Sequence, residues 1–147
     1  RQAENVFDDD YEFDLGKADL LRDGSDVTLI ASGVCVANAL QAAETLAQEG
    51  VSARVLNIHT IKPIDADAVI KAASETGALV TAENHNVIGG LGSAVAEVLA
   101  EQRPTPLERV GVKDHFGQVG KAPYLMGVFG ITAADIAKAA RKAIARK

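Results

Sequence analysis

The apolar residues of this chain fall into short, nearly unbroken runs separated by stretches of helical spacing. The first run is Val27–Ala31 (VTLIA), ended by Ser32–Gly33. A run of this kind between turn residues reads as a strand buried on both faces. From Val36 to Gln48, Ala39, Ala43, Leu46 and Ala47 recur near helical spacing, and Gly50 follows as a natural stop. Ala53–His59 (ARVLNIH) reads as a second strand and Thr60–Asp65 as a loop. Asp65 is placed to cap a helix from Ala66 to about Thr76, which Gly77 ends. Ala78–Glu83 is the third predicted strand, Asn84–Gly92 a glycine-rich loop, and Ser93–Gln102 a helix stopped by Pro104. Leu107–Val112 is the fourth strand. The segment Lys113–Gly130 reads as long and irregular, a pattern typical of binding or interface loops. A last helix starts at Thr132, with Asp135 as its capping-box partner, and runs to about Lys147. Its Lys and Arg residues suit the C-terminal end of the helix dipole.

Each connection between predicted strands contains a helix, which forces parallel pairing and right-handed crossovers. The expected fold is therefore a three-layer α/β/α domain over residues 15–147. Residues 1–14 precede it as an arm. Their Glu4–Asp14 stretch (ENVFDDDYEFD) is acidic, but Val6, Phe7, Tyr11 and Phe13 predict that it packs against something, with Phe13–Leu15 as a short edge strand.

Composition sharpens this picture. At 147 residues the chain fits one domain, and 48% apolar content supplies one core. Only 4% of residues are aromatic and Trp is absent, so that core must be built from Ala, Val, Leu and Ile. A net charge of −5 argues against a nucleic-acid partner. The single Cys excludes an internal disulfide and a four-cysteine zinc site, and fits a reduced, cytoplasmic setting. No apolar run approaches the ~18 residues of a membrane span. The opening residues Arg1–Glu4 are polar and lack Met, so no leader is expected and the chain reads as an excised or processed piece.

Candidate chemistry gathers at the strand ends. Cys35, His59, His85 and His115 each lie just after a predicted strand, with Glu83 and Asp114 beside them. In a parallel sheet these positions share the edge where open α/β sheets bind ligands. Strands ~4.8 Å apart spread that rim over about 15 Å, so only two or three of these side chains can meet. No HExxH or CxxC spacing is present. A contact surface is the reading favoured over a metal or nucleophile site. Gly89–Ser93 (GGLGS) lies between a strand and a helix, where backbone amides could cradle a phosphate. It fails the dinucleotide pattern, because Val95 stands where the third glycine belongs.

Several elements together resemble the C-terminal domain of the transketolase family. Gly24–Gly33 (GSDVTLIASG) is similar to its opening strand and turn, and Ile61–Asp65 (IKPID) to the element after its second strand. Val80–His85 (VTAENH) followed by Gly89–Val95 (GGLGSAV) resembles its third strand and glycine loop. Gly111–Gly117 (GVKDHFG) resembles its fourth strand end. The match covers roughly residues 15–145. The Asn84–His85 pair and Phe116–Gly120 (FGQVG) look most like transketolases split into two subunits.

The resemblance implies a mixed five-stranded sheet, with four parallel strands and one antiparallel edge strand formed around Phe13–Leu15. It implies a parent enzyme that moves two-carbon ketol units between sugar phosphates with thiamine diphosphate and magnesium. In the family that cofactor lies between the two preceding pyrimidine- and pyrophosphate-binding domains. No catalytic, cofactor or metal residue is therefore expected here, and the chain alone is expected to be inactive. Its expected partners are those preceding domains, or the subunit carrying them, within a homodimer. Glu83, His85, Gly90, Gly92, Asp114, His115 and Phe116 become interface candidates. Three alternatives remain. The chain is the equivalent domain of a deoxyxylulose-phosphate synthase or of a 2-oxoacid dehydrogenase beta subunit, a stand-alone module binding a phosphorylated ligand in the strand-end crevice, or a small metal- or Cys35-dependent enzyme.

Overall fold

A computed structural model describes residues 5–147. Its strands are β1 (Asp19–Arg22), β2 (Val27–Ala31), β3 (Ala53–Asn57), β4 (Leu79–Asn86) and β5 (Leu107–Val112). Its helices are α1 (Cys35–Gln48), α2 (Ala66–Thr76), α3 (Leu91–Gln102), α4 (Ala122–Phe129) and α5 (Ala133–Ile144). The sheet order is β1-β3-β2-β4-β5, with β1 antiparallel to β3 and the other pairs parallel.

The central strand β2 is buried along its whole length. Alternation along it sorts side chains to two faces. Leu29 packs with Val55 and Val80 beneath α1 and α5, and Ile30 packs with Leu56 and Leu79 beneath α2 and α3. Ala39, Ala42 and Ala43 line the buried side of α1, so that helix can lie close to the sheet. The buried hydroxyls of Thr28 and Thr76 satisfy each other at 2.9 Å. Helix α5 is pinned by ion pairs from Arg141 to Glu49 and from Lys142 and Arg146 to Glu108.

Strand β5 and helix α2 follow the sequence reading, including the Asp65 cap, whose carboxylate accepts the Ala68 N–H at 3.1 Å. The Thr132–Asp135 capping box opens α5 as expected. Three expectations are corrected. The antiparallel edge strand is Asp19–Arg22, not Phe13–Leu15. A turn closed by the Lys17 N–H on the Asp14 carbonyl, with Gly16 at φ +80°, breaks the extended chain before the ladder starts. Strand β4 continues through His85 to Asn86, with a register irregularity after Ala82, so the glycine loop is shorter than expected. The segment Lys113–Gly130 contains α4, with Pro123 in its first turn, where a missing N–H costs nothing. Of the predicted arm, residues 1–4 lie outside the described residues, and Asn5–Asp14 contains no strand.

Candidate functional site

The carboxyl ends of β2, β3, β4 and β5 form one edge, and the sequence-predicted residues are distributed along it unequally. Glu83 is 2% exposed. Its carboxylate turns inward and accepts two backbone N–H groups at the start of α3, Leu91 and Gly92, each at 2.8 Å. A negative charge on otherwise unpaired N-terminal amides complements the helix dipole. The surrounding glycines make room for it. A Cβ on Gly90 would overlap Glu83 Oε2, and one on Gly92 would come within 2.8 Å of Arg109 Cδ. One on Gly111 would meet Val87 Cγ1 at 2.8 Å and Glu83 Cγ at 3.0 Å. Glu83, Gly90 and Gly92 thus form an internal lock, which corrects their assignment to a contact surface. The same lock answers the phosphate reading of the glycine loop: the amides that would cradle an anion already hold the protein's own carboxylate.

The cysteine and histidines do not converge. Cys35 is fully buried at the start of α1. Burial, and secondarily the charge of Glu83, pushes its thiol up to about 11, so it stays protonated and poorly nucleophilic near neutral pH. His59 lies under the arm, with its ring 4.4 Å from that of Phe13 and Nδ1 2.9 Å from Thr60 Oγ1. Its Nε2 is buried, 3.8 Å from Asp19 Oδ2. His85 is exposed on β4, with Nδ1 2.9 Å from the Asn86 carbonyl oxygen. Asp114, His115 and Phe116 are exposed in the loop after β5. Among the described residues, no three His, Cys, Asp or Glu side chains lie together as a metal site.

Exposed apolar side chains gather on α4 and in the loop before it. Helix α4 (APYLMGVF) buries no residue fully, and Tyr124 and Val128 are 59% and 49% exposed. Phe116 and Val119 in the preceding loop are fully exposed, and Ile88 beside β4 is 64% exposed. Only the inner side of α4 is held: Met126 and Phe129 pack against the core, and Asn38 of α1 donates to the Ile131 carbonyl just beyond it at 3.0 Å.

Residues 16–136 match the family described as "Transketolase, C-terminal domain". The chain belongs to the transketolase C-terminal domain family. It is 56% identical over all 147 residues to the 6-deoxy-6-sulfo-D-fructose transketolase subunit SqwH of a Clostridium species, and covers 46% of that protein. It is 41% identical over 138 residues to 1-deoxy-D-xylulose-5-phosphate synthase 1 of Geobacter sulfurreducens, covering 92% of this chain and 22% of that protein. Among solved structures, a split-gene transketolase described as an inactive β4 tetramer superposes with a TM-score of 0.94 at 46% identity, covering 97% of this chain and 47% of that one. The chain thus spans less than half the length of these relatives. The mixed sheet described above is that of the transketolase C-terminal domain, and the family resemblance drawn from the four sequence elements holds.

Proposed function

We propose that this chain is the C-terminal domain of a thiamine-diphosphate- and magnesium-dependent transketolase, and that its part in ketol transfer is to dock rather than to react. The observation that carries this reading is the apolar surface of α4 and the loop before it. Several large apolar side chains left exposed in one segment mark a protein contact, and Phe116, Val119, Tyr124 and Val128, all within the segment that follows β5, supply them. Its partners are the cofactor-binding domains, or the separate subunit carrying them, and a second copy of the assembled protein. His85, Asp114, His115 and Phe116, exposed along the strand-end edge, belong to that contact.

The described residues do not fit the cofactor itself. The α3 amides that could hold a diphosphate are taken by Glu83, and no acidic or histidine cluster offers a metal site. No step of the reaction is assigned to this chain. The parent substrates are anionic ketoses and aldoses, which accords with a relative named for a sulfonated fructose. The likeness to a deoxyxylulose-phosphate synthase supports a second reading, in which the parent makes that product instead.

The test places Tyr124→Asp and Val128→Asp together in the protein that carries the cofactor-binding domains or is mixed with them. The expected result is a lower assembled mass by gel filtration with multi-angle light scattering, loss of ketol transfer, and unchanged melting of this domain. Intact assembly would overturn the reading. Formation of 1-deoxy-D-xylulose 5-phosphate by the assembled protein would select the second one.

A further inference from the structure

The arm before β1 lies across the strand-end edge. Val6 packs against the core on the α1 side of the sheet. Val6 and Phe7 wall a cavity of about 350 Å³ whose other sides are Gly33, Val36, Asn57 and His59, at the ends of β2 and β3. The arm is then fastened at successive points. The Phe7 and Tyr11 rings stack at 4.1 Å, and the Tyr11 hydroxyl donates to Asp19 Oδ2 at 2.9 Å. The same oxygen accepts from Asn57 Nδ2, which joins arm, β1 and β3 through one carboxylate. Phe13 covers His59, and the Gly16 N–H donates to Thr60 Oγ1 at 2.9 Å.

This edge is where open parallel sheets take their ligands. Here the protein's own chain lies over part of it. We propose that residues 6–16 are a strap that closes the crevice over β2 and β3, and that this crevice opens to other molecules only when the strap is displaced. The acidic side chains Asp8–Asp10 are exposed on the strap, so the closed edge carries negative charge that disfavours phosphorylated or sulfonated molecules. The anchors are few, with Val6, Phe7 and Gly16 half-buried and Tyr11 and Phe13 exposed, so the strap sits at the low-stability end of the fold and opens locally, before the core. Gly16 is the bend that turns the strap into β1: its φ is +80°, and a Cβ there would lie 3.1 Å from Pro63 Cγ.

Hydrogen–deuterium exchange on the full chain tests the strap independently of assembly. The Cys35, Val36 and Ile58 amides, bonded to Ser32, Gly33 and Ala31 carbonyls, report opening beneath it. The double variant Val6→Asp with Phe13→Ala is expected to raise exchange in residues 32–37 and 58–63 by about tenfold, with β4 and β5 unchanged. Tyr11→Phe, which removes only one hydroxyl, is expected to raise the same segments by about twofold to threefold and decides the matter if the double variant unfolds. Wild-type exchange in residues 32–37 and 58–63 that neither variant alters would overturn the strap. So would arm amides that exchange in the wild type as fast as in an unfolded peptide.

Discussion

Replacing Glu83 with Gln exchanges one carboxylate oxygen for an NH₂ group and tests the internal lock directly. The carboxylate accepts two backbone N–H groups at 2.8 Å and is 2% exposed, so water cannot substitute for either bond. A glutamine offers one acceptor oxygen and turns its NH₂ donor toward the other N–H. One charge-assisted bond is lost, worth about 1.5–3 kcal/mol, and one buried donor is left unpaired at a similar cost. The charge at the α3 N-terminus, worth up to about 2 kcal/mol when partly buried, goes as well. These terms overlap, and the net expectation is a destabilisation of about 2–4 kcal/mol. For a domain of this size that lowers Tm by roughly 5–15 °C. The assay is urea and thermal unfolding of the variant followed by circular dichroism, with an unchanged m-value as evidence that the native fold is kept. A variant within about 0.5 kcal/mol of the parent, the range of an ordinary surface change, would refute the capping argument. Gly90→Ala is the complementary perturbation: its Cβ would overlap Glu83 Oε2, so the carboxylate must leave the amides for the methyl group to fit.

Two further outcomes follow from charge and burial. Burial alone would raise Glu108, but hydrogen bonds from Lys142 and Arg146 outweigh it and hold the carboxyl below its ordinary value of 4.5; the Arg141 hydrogen bond does the same for Glu49. A lowered folded-state pKa means stability that is present above that value and lost as pH falls through the folded one. Protection factors of the α5 amides, corrected for the intrinsic exchange rate at each pH, should therefore fall on acidification below about pH 4.5, and Glu108→Gln should cost about 1 kcal/mol at neutral pH while blunting that acid response. Cys35, buried and pushed up to about 11, should resist a thiol reagent such as dithionitrobenzoate at pH 8 in the native protein and react at once in denaturant; rapid native labelling would contradict its burial.

Much of the fold was legible because its signals are local. Val27–Ala31 reads as a buried strand because it lacks a polar face, and that is where the central strand lies. Asp65 and Gly77 bracket α2 through a cap and a left-handed residue, both of which act within a few positions. Helix α4 escaped for the opposite reason. With apolar residues nearly all round it, APYLMGVF has no polar stripe from which helical spacing can be read. The candidate site was legible by position and misread in orientation. Cys35, His59, Glu83 and His85 do lie at or just beyond strand ends, but Cys35 is entombed, His59 sits beneath the strap, Glu83 turns inward and His85 faces out. One signal for Glu83 was available: a carboxylate at a strand end shortly before a glycine-rich helix start is placed to reach the orphan amides.

By itself, the sequence determined the alternation of buried strands and helices, the positions of the capped helices, and the membership that its motifs carry. These depend on periodicity and on interactions within a few residues. Only the tertiary structure decided that the edge strand is Asp19–Arg22, that Glu83 spends its charge on α3, and that the arm crosses the strand ends to Asp19, His59 and Thr60. Each of those outcomes is a competition among partners distant along the chain. Which pairing wins is set by the space and hydrogen bonds left after the sheet has assembled, and no local pattern encodes that remainder.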